Sequence, residues 1–524
     1  MGNGQARMRT GVACAGTWSL TDVDYQAGVG VVARVIGSLR LGLVALAISG
    51  CWADHSPSSD SGMASDASME TCDDFVEPAP SPPPETGVGH DRHRSSVGIG
   101  GPGDDFVSAI AIDDAGRVYV GGSFRCSLMV GGTRVAEGPA DLDIFIAGFE
   151  SDGSLNWVET FSGTGTDLVR ALSVGPDGHL YLSGSFEGDL TIGGDSLDSA
   201  GETDGFIASL DADGNARWFR RLGGPGQDEV TDSTVSVAGR MVVTGLFSET
   251  GDFGGPPLQS MGRNDVLVAS FDALGSHEWS ARFGDRLYDR GRSVATDDSG
   301  NIFVTGWSES RSIDLGGGLV EGSRPFVVSF TGEGVHRWSR PIGGFGPLNQ
   351  SDALAVDARG QVYVGGTCQG TVDFGGGDVD CHGDGGSLRS HGFVLGLDRD
   401  GGYRWAHTYG SAVETLVGEL VVDTRGNVHA AGRFGGRVDF GDGSVSAFVG
   451  EGPRDLYVVS FTEVGDHRST YAAGSSDSDT ARGLAIAPDG AVWVVGGFAN
   501  AIDFGGGGLR GAGGNDGFLL ALQP

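Results

Sequence analysis

The sequence predicts an all-β fold: a seven-bladed β-propeller of four-stranded antiparallel blades, closed by an N-terminal strand. Three observations support this prediction. A short apolar strand with a central glycine recurs every 60 to 66 residues, and self-similarity at one period indicates a repeat architecture. Each unit contains four apolar segments bounded by Gly, Asp and Asn, which is the pattern of strands and turns. The two ends of the repeated region also complement each other.

The recurring strand reads VYVGGSF at residues 118–124 and returns as LYLSGSF, MVVTGLF, IFVTGWS, VYVGGTC, VHAAGRF and VWVVGGF. Four strands per unit without helical periodicity predict the blade of a β-propeller, and a linear β-solenoid is the alternative. The glycines that mark the seven copies are Gly122, Gly184, Gly245, Gly306, Gly366, Gly432 and Gly496.

The last copy ends at DGFLLALQP and lacks the tryptophan strand that ends most other copies. Residues 92–99, RHRSSVGI, stand before GGPGDD as RWFRRL stands before GGPGQD. We therefore expect residues 92–524 to form one closed domain, in which the N-terminal strand completes the seventh blade and removes free sheet edges. If that strand is outermost, SAIAID at 108–113 and its equivalents line the central channel.

A tryptophan recurs in the fourth strand, and we expect it to pack between neighbouring blades, where a large ring buries roughly 150 to 250 Å². The Asp-Gly turn before it, as in DADGNAR at 211–217, predicts a hairpin, because glycine reaches positive φ without steric cost. A calcium loop is excluded because no acidic residue falls at a matching distance. GGPGQD opens a strand rather than a helix, so it does not predict a phosphate site. The column is Trp157, Trp218, Trp279, Trp338 and Trp405, with Ser469 in the sixth copy.

A column of carboxylates precedes the innermost strands, so its members are expected to circle one mouth of the channel. Either they accept hydrogen bonds from backbone N–H groups of their own loops, or they form a site for a cation such as calcium or for a polar ligand. No other cofactor is expected. A second column, beginning with Asp143 and Asp204, is assigned to turn chemistry. The first column is Asp105, Asp167, Asp228, Asp289 and Asp479, with Asn349 and Thr415 in the other copies.

Residues 1–51 are predicted to be a signal peptide with a lipobox. RVIGSLRLGLVALAISGC, residues 34–51, joins arginines to an apolar run too short to span a bilayer. Ile48 to Cys51 match the acylation motif, which predicts lipidation of Cys51; a buried apolar helix is the alternative. The unusual length upstream is explained if translation starts at Val31 or Val32.

Residues 52–91 are rich in Ser, Asp and Pro and poor in aliphatic residues. Such a segment cannot bury enough surface to offset its ordering entropy, so it is predicted to be a disordered tether. The expected location is the bacterial cell envelope, at the outer membrane or cell surface, with membrane contact only through the lipid anchor.

The composition excludes one class of partner. The chain has 69 acidic and 34 basic residues, a net charge of −35, and no cluster of basic residues that could follow a phosphate backbone, which argues against nucleic acid. Glycine contributes 96 of 524 residues without a G-X-Y period, which favours a turn-rich β protein over collagen.

Cysteines in an exported protein are expected to form disulfides. Cys368 and Cys381 bracket the glycine-rich loop of the longest repeat, so we predict that they pair and that this loop is a recognition surface. The pairing of Cys72 and Cys126 is left open. His382 and His391 match no zinc spacing.

The unit GGPGDDFVSAIAIDDAGRVYVGGSF, followed by DIFIAGFESDGSLNW, resembles the bacterial SBBP β-propeller repeat of secreted and lipid-anchored proteins. The resemblance covers residues 92–524 and implies the fold but no activity. Ser469, Thr415 and the enlarged fifth repeat depart from the typical unit.

We expect a monomeric, non-catalytic binding or scaffold module for an unidentified protein or glycan. The alternative is an extracellular propeller hydrolase or lyase acting on polysaccharide. A cluster of non-repeated charged residues at the channel would favour the enzyme; Arg170, Arg292 and Arg482 lie in the innermost strands and are the candidates.

Overall fold

The computed structural model describes residues 92–138, 141–322, 324–381, 390–410, 414–441, 445–447 and 454–524. These residues form 40 β-strands and no helix, so no helix among them could cross a membrane. The predicted signal peptide, Cys51, the tether, Cys72 and His382 lie outside the described residues.

The strands follow the repeat of the sequence. After β1 (His93–Gly100), the first blade has β2 (Phe106–Ile112), β3 (Val118–Phe124), a hairpin of β4 (Ser127–Val130) and β5 (Thr133–Glu137), then β6 (Asp143–Phe149) and β7 (Leu155–Thr164). The second has β8 (Leu168–Val174), β9 (Leu180–Phe186), the hairpin β10 (Asp189–Ile192) and β11 (Asp195–Asp198), β12 (Asp204–Leu210) and β13 (Ala216–Leu222). The third has β14 (Asp228–Val235), β15 (Met241–Phe247), the hairpin β16 (Thr250–Gly251) and β17 (Leu258–Gln259), β18 (Asp265–Phe271) and β19 (His277–Phe283).

The remaining blades repeat the same order. The fourth has β20 (Asp289–Thr296), β21 (Ile302–Ser308), β22 (Ser312–Asp314), β23 (Leu319–Glu321), β24 (Pro325–Phe330) and β25 (His336–Pro341). The fifth has β26 (Gln350–Val356), β27 (Val362–Cys368), β28 (Gly370–Asp373), β29 (Asp378–Cys381), β30 (His391–Leu397) and β31 (Tyr403–Tyr409). The sixth has β32 (Thr415–Val422), β33 (Val428–Phe434), β34 (Arg437–Asp439), β35 (Val445–Ala447), β36 (Asp455–Phe461) and β37 (His467–Ala473), and the seventh has β38 (Thr480–Ile486), β39 (Val492–Asp503) and β40 (Gly508–Leu522).

Seven antiparallel sheets confirm the predicted propeller. The first blade runs β2-β3-β6-β7, and the other blades follow the same order. The first strands of the blades contact one another in one closed cycle, β2 to β8, β14, β20, β26, β32 and β38, and β38 returns to β2. The first strand of each blade is therefore the innermost, as expected.

The seventh blade is completed by the N-terminal strand. β1 pairs antiparallel with β40, and Ser96 lies opposite Leu520 and Val97 opposite Leu519. The Gln523 N–H donates to the Arg92 carbonyl at 2.7 Å, so the two ends of the domain meet. The prediction of closure by this strand is confirmed.

The tryptophan column joins neighbouring blades. Trp218 lies on β13, the fourth strand of blade 2, and its indole N–H donates to the Ala273 carbonyl of blade 3 at 3.1 Å. The interface between two blades thus buries the ring and provides a carbonyl acceptor for its N–H. Equivalent bonds run from Trp157 to Ala212, Trp279 to Gly332, Trp338 to Arg399 and Trp405 to Glu463.

Ser469 takes the tryptophan position in blade 6 and keeps only a polar contact there. Its hydroxyl lies 2.9 Å from the guanidinium of Arg92, next to the closing strand, and 2.8 Å from the Ser460 hydroxyl. The smaller side chain is accommodated where blade 6 meets the strand that completes blade 7.

Candidate functional site

Every innermost strand carries a β-bulge at one position. In blade 1 the register passes from Val107 opposite Gly122 to Ala109 opposite Gly121, which leaves Ser108 as the extra residue. A bulge re-aims a side chain and increases local twist, and bulges concentrate next to functional sites. The bulge residues are Ser108, Arg170, Thr231, Arg292, Asp352, Gly418 and Arg482.

The bulge explains the glycine column of the sequence. A Cβ on Gly122 would overlap the carbonyl oxygen of Phe106, and a Cβ on Gly184 would overlap that of Leu168. The same overlap occurs in the other five blades. The column is glycine because the backbone of the innermost strand approaches too closely for any side chain.

The bulge residue is arginine in three blades, aspartate in one and uncharged in the other three. Arg170, Arg292 and Arg482 all occupy the bulge position and are partly exposed. Arg292 Nε donates to Asp352 Oδ1 at 3.1 Å. The structure thus places the three arginines singled out by the sequence on one level of the innermost strands, which makes this level of the channel the candidate site.

Two further acids follow bulge residues, Asp232 and Glu419. Asp232 Oδ2 accepts from the Ser293 hydroxyl at 2.7 Å and the Val294 N–H at 2.8 Å. Desolvation raises the pKa of Asp232 to about 6, and these hydrogen bonds and Arg292 oppose the rise. Desolvation, with a smaller contribution from Asp232, raises the pKa of Glu419 to about 8. Burial thus favours the protonated form of Glu419, which lies on the innermost strand of blade 6.

The predicted carboxylate column lies inside the blade interfaces, where each member is at most 1% exposed. Backbone N–H groups bind them: Gly224 and Ser248 donate to Asp228 at 2.6 and 3.1 Å, and Asp285 donates to Asp289 at 2.8 Å. Gly101 and Arg125 donate to Asp105. Asp105, Asp228 and Asp289 thus accept hydrogen bonds from backbone N–H groups, whereas both carboxylate oxygens of Asp167 are buried without a hydrogen-bond partner.

The sequence reasoning missed that the two aspartate columns meet. A Cβ on Gly223 would contact Asp204 Oδ1 and Asp228 Oδ2, so both carboxylates face one point; Gly284 stands likewise between Asp265 and Asp289. Each pair joins the third strand of one blade to the first strand of the next. The five pairs are Asp143 with Asp167, Asp204 with Asp228, Asp265 with Asp289, Asp455 with Asp479 and Asp516 with Asp105.

A signal for this pairing exists in the sequence. The two interfaces that lack the first aspartate, at Asn349 and Thr415, also lack the second, which is replaced by Arg324 and His391. The two columns therefore depart from aspartate at the same two interfaces.

Buried paired carboxyls resist ionisation. Desolvation raises the pKa of Asp228, and the neighbouring Asp204 raises it further. Desolvation followed by the charge of Asp143 raises the pKa of Asp167. One oxygen each of Asp143, Asp204, Asp265 and Asp455 is buried and accepts no hydrogen bond. Two facing carboxyls without a cation beside them are satisfied when they share a proton. Arginines also approach two of the pairs: Arg282 donates to Asp265 Oδ2 at 2.8 Å, and Arg221 lies 3.9 Å from Asp204.

A metal ion fits these pairs less well than a proton. Calcium takes six to eight oxygen ligands, whereas the neighbours of Asp228 and Asp289 are N–H donors. Within the described ranges, no group of three or more His, Cys, Asp or Glu side chains could hold a metal ion.

The fifth blade contains a disulfide between Cys368 and Cys381, whose Cα atoms lie 5.8 Å apart. Both cysteines are buried, and the bond joins the end of β27 to the end of β29. Cys126, also buried, is disulfide-bonded too. The loop predicted as a recognition surface continues through 382–389, outside the described residues.

Comparison with known proteins identifies the repeat. The family model of the SBBP β-propeller repeat matches residues 278–312, so the chain carries this repeat. "Regulatory protein FlaEY" of Caulobacter vibrioides is 24% identical over 387 residues, which are 73% of this chain. The match spans about a third of that relative, 35% of its length.

Several solved structures are also similar. The Pan2 WD40 domain of Neurospora crassa has a TM-score of 0.41 and 10% identity, covering 81% of this chain and 90% of that one. BamB from Moraxella catarrhalis has a TM-score of 0.34 and 12% identity, covering 82% and 99%. A Bacteroides caccae protein of unknown function has a TM-score of 0.30 and 12% identity, covering 60% and 93%.

Proposed function

We propose that this chain is a cell-envelope lipoprotein whose β-propeller is a non-catalytic binding or scaffold module. One observation carries the binding role: the repeated columns of Gly, Trp and Asp are all engaged in packing within and between blades. What differs from blade to blade, at the bulges and in the loops, is therefore available for recognition. The expected partner is a protein or a glycan, bound by a monomer.

The lipid anchor rests on the Ile48-Ser49-Gly50-Cys51 motif and the tether that follows it. Fractionation of cells producing the full chain or Cys51→Ala tests it. The full chain is expected in the membrane fraction and the variant in the soluble fraction. A variant that still partitions with membranes would remove the anchor from the proposal.

The name of the Caulobacter relative supports a role without catalysis, since it is called a regulatory protein. Because the match covers about a third of that relative's length, the similarity supports only this broad role. The net charge of −35 supports a partner other than nucleic acid.

A hydrolase or lyase acting on polysaccharide is the second candidate, and the channel acids favour it. Asp232 and Glu419 have raised pKa values for the reasons given above and lie on innermost strands with Arg292. Such residues are typical of acid–base sites.

The two functions are distinguished by incubating the purified chain with neutral and uronate-containing polysaccharides and measuring new reducing ends and unsaturated products. The binding module predicts no turnover. Turnover that Glu419→Gln abolishes while the protein stays folded would establish the enzyme instead.

A further inference from the structure

One sector of the loop face departs from the repeat in several adjacent loops. We call it the arginine–aromatic sector and define it by six residues of blades 3 to 5: Arg263, Arg286, Leu287, Tyr288, Arg311 and Phe345. They lie in the loops that leave the fourth strands and in those that connect second to third strands.

The ring itself does not require these side chains. Arg286, Leu287 and Tyr288 stand where the preceding outer-to-inner loop has Pro225-Gly226-Gln227, and Phe345 takes the same proline position one blade later. Arg263 replaces the acids that blades 1 and 2 carry before their third strands, Asp141 and Glu202. The sector thus exchanges small or acidic residues for large and basic ones.

Contacts join four of the six residues into two stacked pairs on adjacent loops. The Arg263 guanidinium lies 5.0 Å from the Tyr288 ring centre and donates to the Tyr288 hydroxyl at 3.1 Å. The Arg311 guanidinium lies 5.1 Å from the Phe345 ring centre. The Glu309 N–H donates to the Tyr288 carbonyl at 2.9 Å and so links the two stacked pairs.

A further stacked pair, Arg324 and Trp307, is joined to the loop that carries Phe345. The Arg324 guanidinium, 9% exposed as a residue, lies 5.1 Å from the Trp307 ring centre and donates to the Pro347 carbonyl at 3.0 Å. Trp307 replaces the smaller residues that follow the column glycine in blades 1 and 2, Ser123 and Ser185. This pair is therefore bonded to the loop that carries Phe345.

Its exposed surface is both apolar and basic. Leu287 and Phe345 are 42% and 37% exposed, and Met261, two residues before Arg263, is 63% exposed. The side chains of Arg263, Arg286 and Arg311 are also exposed. Aromatic residues, Met and Arg are the types enriched in protein interfaces and their hot spots.

The charge of this surface indicates the charge of the ligand that it would bind. The same loops carry two acids: Asp285 accepts from the Ser310 hydroxyl, and Glu309 lies 3.9 Å from Arg324. The three exposed guanidinium groups outnumber them in a chain that carries −35 overall, so the sector selects for negative charge. An arginine stacked on a ring still presents its N–H fork outward, and that fork matches a carboxylate bidentately.

We propose that the arginine–aromatic sector binds an acidic protein segment, in which an apolar side chain packs on Leu287 and Phe345 between carboxylates held by the arginines. The apolar anchors favour a polypeptide over a sugar chain. This inference deepens the proposed binding function and rests on it.

The test selects short random peptides displayed on phage against the immobilised full chain at low salt. The triple variant Arg263→Ser, Arg286→Ser, Arg311→Ser serves for comparison. A matched control, Arg399→Ser, Arg425→Ser, Arg468→Ser, removes the same charge from exposed positions elsewhere. Thermal melting checks that all three proteins are folded. Selected peptides are synthesised and their affinities measured, and polygalacturonate is titrated in parallel.

Enriched peptides are expected to combine Asp or Glu with a large apolar residue. They should bind the triple variant about tenfold more weakly than the wild type or the control, and more weakly as salt increases. Peptides that bind all three proteins equally would overturn the assignment of the sector but leave a binding module. Failure to enrich any peptide, or arginine-dependent binding of polygalacturonate alone, would overturn the acidic protein segment as ligand.

Discussion

The indole of Trp218 lies directly against Gly275 of the next blade: a Cβ on that glycine would be 2.8 Å from the ring. Gly275 has a φ of +72° in the hairpin turn before β19. The Asp-Gly turn of the repeat thus serves two purposes, because the same glycine permits the turn and leaves room for the ring of the preceding blade.

Gly275→Ala is therefore expected to lower the free energy of unfolding by about 2 to 3 kcal/mol, from left-handed backbone strain and displacement of Trp218. Gly300→Ala is the matched control: its φ is +78°, but a Cβ would meet nothing within 4 Å. It should cost about 1 kcal/mol. Denaturant unfolding measures both, and equal losses would contradict the packing role.

The paired aspartates predict a stability that decreases with rising pH. Desolvation raises the pKa of Asp228 from 3.8 to about 7 and that of Asp289 to about 6. The folded state then holds more protons than the unfolded state between pH 4 and 7, so the free energy of unfolding falls as pH rises through this window. The slope is about 1.4 kcal/mol per pH unit for each such group. Denaturant unfolding at closely spaced pH values measures it; a flat profile would contradict shared protons.

Two amide variants distinguish the roles of Asp204 and Asp228 in their pair. In Asp204→Asn, the amide can donate to Asp228, so the variant should lose less stability at pH 8 than at pH 5. In Asp228→Asn, an amide NH₂ would face the N–H groups of Gly224 or Ser248, which should cost roughly 1 to 3 kcal/mol at both pH values. Identical pH profiles for the two variants would contradict this geometry.

Removal of metal tests the calcium alternative for the aspartate column. Shared protons predict an unchanged melting temperature in chelator and no stoichiometric calcium in the purified chain. A clear decrease in chelator that calcium reverses would assign Asp105, Asp167, Asp228, Asp289 and Asp479 to cation binding instead.

The disulfide of blade 5 closes a short loop, since Cys368 and Cys381 are 13 residues apart. The double variant Cys368→Ala, Cys381→Ala is expected to lower the free energy of unfolding by about 3 kcal/mol, chiefly by relaxing the unfolded chain. Thermal and denaturant unfolding measure the loss. A loss near zero would show that packing alone holds the two strands.

Deletion of the closing strand tests the ring. A chain without residues 92–99 exposes the edge of β40, so it should melt at lower temperature and aggregate more readily. A chain shortened to begin at residue 92 retains β1 and is the control. Equal melting of the two proteins would contradict closure by β1.

The fold was predictable because each repeated column of residues corresponds to a contact that recurs from blade to blade. The seven copies of the glycine-containing strand were sufficient for the blade count, and the incomplete last copy was sufficient for the closure. The glycine column was visible as a pattern, but its cause was not, since the clash between Gly122 and the Phe106 carbonyl arises only once the innermost strand is bulged.

The candidate sites were less predictable because they are made between blades. Asp204 and Asp228 belong to different blades, and their facing geometry follows from the ring rather than from local sequence. The charged bulges could be placed on innermost strands but not at one level. The arginine–aromatic sector was not predictable because its members depart from the repeat, and a repeat identifies only the positions at which its copies agree.

The meeting of β1 and β40 has a topological consequence. With Arg92 and Gln523 joined by a hydrogen bond, the chain order around the ring has no structurally privileged first blade. A circular permutant that links the two ends and opens another outer-to-inner loop would keep the same neighbours throughout. In the present chain order the ring opens between β40 and β1. Arg92 therefore lies at the start of the outermost strand of blade 7.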